Sequence, residues 1–388
     1  MADPIQKFLR GLARKDPSPA LAMLDEHPEW LQHPQTLLEA CHRSVPELVE
    51  RALDAGADVN VRSLPTPGSW RLPIGRAVEA HDGAGRWTTR QRAVAELLHA
   101  AGADLDQRSC FGMRRPIGLA AEAGHLDAVP WLLDKNVKLD LEEHCALGHV
   151  EEVETRLAEN PALATSARTS GVKHFYTALL PLQVVAGCRL GQRDGPFATN
   201  LDVNLETIAR RLLDAGSPPG AFEHDGQRFH GAASSAACNG NASMLRLLLE
   251  AGATAQDCLG SALHGGHREA LDLLAEAGID VDQPGDRRLG NHLLHEMIRW
   301  GQLENAVWVL DRLRAQGASR NPLDLDEWTP FHYAARRGVH PKWADAFLER
   351  GVDPLRAAKD GSRPIDIARA RKRTKLVAWF EALERHPG

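Results

Sequence analysis

Apolar residues recur along this chain at helical spacing, and each stretch runs into the same short polar break. Examples are Ala52-Leu-Asp-Ala-Gly-Ala-Asp58, Leu97-Leu-His-Ala-Ala-Gly-Ala-Asp104, Leu247-Leu-Leu-Glu-Ala-Gly-Ala253 and Leu273-Leu-Ala-Glu-Ala-Gly-Ile-Asp280. A stripe such as Val94, Leu97 and Leu98 predicts a helix with one buried face. The glycine after it predicts a left-handed stop, at Gly56, Gly102, Gly252, Gly278, Gly317 and Gly351. Pairs of small residues, Ala120-Ala121 and Ala334-Ala335, predict a second set of helices that stack closely. Pro46 and Pro341 sit just inside the start of predicted helices, where a missing N–H is tolerated. Such internal periodicity predicts a stack of supersecondary units, each burying surface only against its neighbours.

Two segments carry the pattern most fully: Trp328-Thr-Pro-Phe-His-Tyr-Ala-Ala-Arg-Arg-Gly338 and Asp360-Gly-Ser-Arg-Pro-Ile-Asp-Ile-Ala368. They resemble the ankyrin repeat, with its period of about 33 residues and its Thr-Pro-Leu-His-x-Ala core. The resemblance implies an all-α solenoid of about nine to ten helix pairs, joined by short β-hairpin fingers. The expected organisation is a helical cap over residues 1–34, a repeat array over 35–362 and a capping helix pair over 363–388. Register marks at 56, 102, 136, 160, 216, 252, 278, 317 and 351 are unevenly spaced. The intervals from 136 to 160 and from 252 to 278 are too short to hold a finger. Those from 56 to 102 and from 160 to 216 are long. The first places an extended finger at 64–70 and an insertion at 81–90, and the second places insertions at 164–180 and 189–203. Arg369, Arg371, Lys372 and Arg373 read as the polar outer face that an end unit needs.

Composition narrows the function. The net charge is -6 and the charged fraction 25%, an ordinary soluble balance that speaks against nucleic acid or an anionic membrane as partner. No secretory leader and no apolar stretch of about 20 residues is visible. Six cysteines without a Cys-x-x-Cys pair point to reduced thiols. A cytoplasmic protein is expected.

Eighteen histidines invite a chemical reading. His295 and His332 occupy the signature position, where the resemblance implies a bond to backbone in the neighbouring turn. His125, His149 and His267 fall at the start of second helices. His264/His267 and His292/His295 have metal-pair spacing, yet no third ligand stands at a matching distance. Phosphate-loop, nucleophile-elbow and zinc-protease motifs are absent, so neither metal nor cofactor is expected.

The remaining candidates are residues that the repeat does not require: His174, Tyr176, His224, Arg228, His230, His292 and Trp328. Aromatic and arginine side chains on variable loops are the types that dominate binding surfaces. Other tryptophans, Trp300 among them, fall inside helices and are expected in the core. Two readings follow. The first is a scaffold that binds a protein or peptide on its concave surface without chemistry. The alternative is a small-molecule site or enzyme in a His/Tyr/Arg-lined pocket over residues 140–232. For that pocket, the 164–180 insertion would fold over the concave face and gather His174, Tyr176, His224 and His230.

Overall fold

The computed structural model describes residues 4–12, 18–62, 72–79, 85–108, 114–169, 178–189, 200–283 and 290–385. These hold 22 α-helices and two short antiparallel strand pairs. The chain divides into two compact units, Met1–Leu273 and Leu274–Gly388. No described helix is long and apolar enough to cross a membrane.

In each unit the helices come in antiparallel pairs, a short first helix and an amphipathic second one. In the N-terminal unit, first helices such as Pro116–Ala123, Leu141–Ala146, Pro181–Gly187 and Ala232–Asn239 pack in succession. In the C-terminal unit, Leu293–Trp300, Pro330–Arg337 and Pro364–Ala370 do the same. Their alanines explain the close stacking: Ala120, Ala121, Ala236, Ala237, Ala334 and Ala335 are all fully buried. Second helices contribute the larger side chains, among them Val94, Leu98, Leu212, Leu248 and Phe347. In the C-terminal unit the core is aromatic, with Phe331 against Phe347 at 6.2 Å and Phe380 at 6.0 Å. Each unit is thus built as an ankyrin-type stack of helix pairs.

The glycines that end the second helices are left-handed, from φ 70° at Gly317 to φ 100° at Gly252. At Gly317 and Gly252 a Cβ would meet nothing, so glycine serves backbone conformation there and not space. Asn136 takes the same role with φ 54°. Asn160 does not. Its φ is -147°, and its side chain accepts from the Ala162 N–H at 3.2 Å to open a tight 3-10 turn, Pro161–Thr165. The chain therefore leaves that repeat through a second short helix, which buries Ala164.

Fingers are absent where the register predicts. Only a few residues separate Asn136 from the helix at Leu141, and Gly252 from the helix at Ala255. Within the 164–180 insertion, Arg168–Thr169 pairs antiparallel with Ala178–Leu179. Its middle, with His174 and Tyr176, lies outside the described residues.

Candidate functional site

The signature segment shows how the helix face of the C-terminal unit is built. Thr329 caps its helix, with Pro330 in the first turn. His332 Nδ1 accepts from the Thr329 N–H at 3.0 Å, and its Nε2 lies 3.1 Å from the Ser362 carbonyl of the next finger. These partners fix the neutral tautomer with the proton on Nε2. Burial, partly offset by the Ser362 carbonyl, keeps its pKa below the usual histidine value. His332 thus ties its repeat to the next.

One repeat earlier, His292 replaces the capping threonine. Its Nδ1 accepts from the Leu294 N–H at 2.9 Å, and its Nε2 meets Asp282 at 3.0 Å. Both ring nitrogens are engaged in the fold and the side chain is buried. His295 is driven down to a pKa of about 3, first by burial and then by neighbouring His292. Its ring stacks on Tyr333 at 4.6 Å. The Tyr333 hydroxyl donates to Asp324 at 2.7 Å, and burial followed by this bond raises its pKa.

Trp328 completes the surface. It is half-buried, stacked on His332 at 5.5 Å and edge-on to Tyr333 at 5.7 Å. The Arg336 guanidinium stands 5.9 Å above its ring. The Trp328 N–H donates to Asp324 at 2.8 Å, so the finger carrying it is held from within. Leu325, in the same finger, is 66% exposed, and Leu355, in the next finger, is 46% exposed. Trp300, expected in the core, is 54% exposed. It occupies the last position of its helix and points away from the buried face carried by Leu294, Met297 and Ile298.

In the N-terminal unit the other candidates sit on the hairpin Phe222–Phe229. Asp225 and Gly226 have φ 48° and 73°, the pair of positive values that a two-residue hairpin turn demands. The register pairs Phe222 with Phe229, Glu223 with Arg228 and His224 with Gln227. Alternation therefore puts His224 on the face of the Phe222–Phe229 contact and Arg228 on the opposite face. Arg228 reaches Asp257 at 2.7 Å and braces the hairpin on the helix Ala255–Gly265 of the next repeat. His230 is exposed, while its carbonyl accepts from Gln183 at 2.7 Å. His224 and Arg228 thus share a finger without sharing a surface.

A charge network that residue spacing does not reveal stands at the absent finger. Arg108 bonds Asp140 and lies 3.7 Å from Glu143, while Arg115 reaches both at 3.1 and 3.3 Å. Arg168, from the insertion, pairs with Glu142 at 2.6 Å. Burial raises the Glu143 carboxyl, opposed by the Asp140 N–H and by Arg108 and Arg115. The three carboxylates lie close enough to share an ion, but three guanidiniums already balance them. The legible signal was the Asp140–Glu143 capping box at the helix start. Beside it His144 and His149 meet at 3.0 Å through their Nδ1 atoms. Arg156 approaches His144 Nε2 at 3.3 Å, so His144 donates from Nδ1 and His149 accepts. Burial, and then Arg156, lower the pKa of His144.

No family model matches the sequence. Among solved structures, the chain is similar to the human ASB11 ankyrin repeat domain. The match has 20% identity and a TM-score of 0.43, covering 60% of this chain and 92% of that one. The ankyrin-type architecture is carried by the chain's own features: Thr-Pro and histidine caps, small-residue stacking and left-handed stops after the second helices.

Proposed function

We infer that this protein is a binding scaffold for another protein or peptide, with the fingers and first-helix face of its C-terminal unit as the contact surface. The observation that carries the reading is the exposure of Leu325 and Leu355 in consecutive fingers, together with the exposed part of Trp328. Apolar surface left in water gains about 25 cal/mol per Å² once a partner covers it. Tryptophan and arginine, here Trp328 under Arg336, are the side chains that most often dominate such contacts. The fingers are also held in place. Lys359 donates its N–H to the Asp326 carbonyl at 3.0 Å, and Asp353 N–H reaches Asn321 at 2.6 Å. A partner would therefore not have to order them, which lowers the cost of association.

The test compares partner capture by the wild-type chain and by Leu325→Asp/Leu355→Asp. Both leucines are exposed, so the change should shift folding by no more than about 0.5 kcal/mol. Capture should fall by more than tenfold. Unimpaired capture by the double variant would reject this surface. Trp328→Ala is a poorer probe, because it also removes the stack on His332 and Tyr333.

A further inference from the structure

The ends of the first helices in the C-terminal unit converge on a pocket of about 310 Å³ lined by Arg299, Tyr333, Arg336, Arg337, Arg371 and Arg373. Five guanidiniums meet there. Arg299 has a carboxylate, Glu296 at 2.9 Å. Arg337 gives one N–H to the Arg299 carbonyl at 2.8 Å, and Arg336 lies over Trp328. Among the described residues, neither Arg371 nor Arg373 has an ion-pair partner, and both are exposed. The nearby acids go elsewhere: Arg369, outside the pocket, takes Glu381 at 2.9 Å and Asp366 at 3.9 Å.

Helix capping explains part of this arrangement. A cation at a helix C-terminus gains about 0.3–1 kcal/mol from the helix dipole, which suits Arg299, Arg336 and Arg337 one at a time. It does not explain why arginines from three repeats border one hollow. The glycines of the first-helix turns sharpen the point. In the N-terminal unit Gly148 is covered by Leu201 and Asn204, and Gly240 by the His267 ring. In the C-terminal unit the cover is arginine both times: Arg337 over Gly301, and Arg373 over Gly338 at 2.6 Å from a built Cβ. Each repeat lays a guanidinium across the turn of the one before it, along the wall of the pocket.

Like charges gathered in a concavity repel one another and focus a positive field on the space between them. An anion bearing several oxygens relieves both effects. A phosphate has about two negative charges and three acceptor oxygens that match the guanidinium fork bidentately. The volume is at the small end of ligand sites, which suits a phosphorylated group better than an extended chain. The geometry points to a phosphate-binding site, with Arg371 and Arg373 as its principal donors and Arg336 and Arg337 completing the cradle. It shares Arg336 with the contact surface proposed above, but its principal donors, Arg371 and Arg373, take no part in that surface.

Titration calorimetry on the full chain at low ionic strength tests this, with sodium pyrophosphate and a phosphoserine peptide as separate probes. At least one should bind at a single site. Arg371→Ala/Arg373→Ala should weaken that binding at least tenfold, while Arg246→Ala, an exposed position in the N-terminal unit, should leave it unchanged. Binding of pyrophosphate marks a free phosphate ligand; binding of the peptide alone marks a phosphorylated protein as the source. Should the alanine pair melt early, Arg371→Gln decides alone, with at least a threefold loss expected. No binding of either probe, or equal weakening by Arg246→Ala, would overturn the proposal.

Discussion

His295 states the residue-scale logic most sharply. Its ordinary pKa of 6.5 is driven to about 3 by burial. Between those values the unfolded chain takes up a proton that the folded chain refuses, so stability rises with pH there and is lost as pH falls from about 6.5 toward 3. His292 and His332 are shifted the same way. One such group contributes a slope of up to about 1.4 kcal/mol per pH unit. Urea melts should therefore show the wild type losing stability between pH 7 and pH 4.5, with a shallower dependence in His295→Gln. Equal slopes would mean that the histidine is not buried as described. The structural duty of His332 was legible, because the signature fixes where its nitrogens point; His295 keeps the bond to its own cap, from the His292 N–H at 3.1 Å. The engagement of His292 on both sides was not, since its partner Asp282 lies ten residues upstream in a finger of unpredicted path.

At the scale of elements, helix pairs could be read from the chain because period and glycine stop are local properties. What replaces a missing finger could not. The Asp140–Glu143 cluster draws arginines from a preceding finger, a helix cap and an insertion, which only the fold brings together. Removing one member of a buried ion network leaves the others uncompensated, at a cost of about 3–5 kcal/mol. Glu143→Ala should approach that loss in chemical denaturation, whereas Glu151→Ala, exposed on the next helix, should stay within about 0.5 kcal/mol. A mild Glu143→Ala would show that the network is solvated. Two glycines make a second comparison. Gly317→Ala and Gly301→Ala each force a left-handed alanine, costing roughly 1–2 kcal/mol. Only the latter displaces Arg337. Similar melting shifts, with phosphate-probe binding weakened in Gly301→Ala alone, are expected; equal binding by the two would detach Arg337 from the pocket.

At the scale of the whole molecule, the two units share one construction and differ in what they expose. The N-terminal unit gathers arginines against carboxylates, in the Arg108, Arg115 and Arg168 network and the Arg228–Asp257 brace. The C-terminal unit presents apolar finger residues and an excess of arginine. Residue spacing directs attention to the central insertions, with His292 and Trp328 beside them, and reads Arg371 and Arg373 as the polar outer face of an end unit. Spacing cannot reveal that arginines 299, 336, 337, 371 and 373 share a wall, because their common register appears only once helices stack. The most direct test of the account is amide hydrogen exchange on the full chain, with and without the partner that wild type captures. Protection confined to the fingers and first-helix face between residues 318 and 363 is the predicted result. Protection centred on the hairpin at 222–229, with that face unchanged, would contradict it.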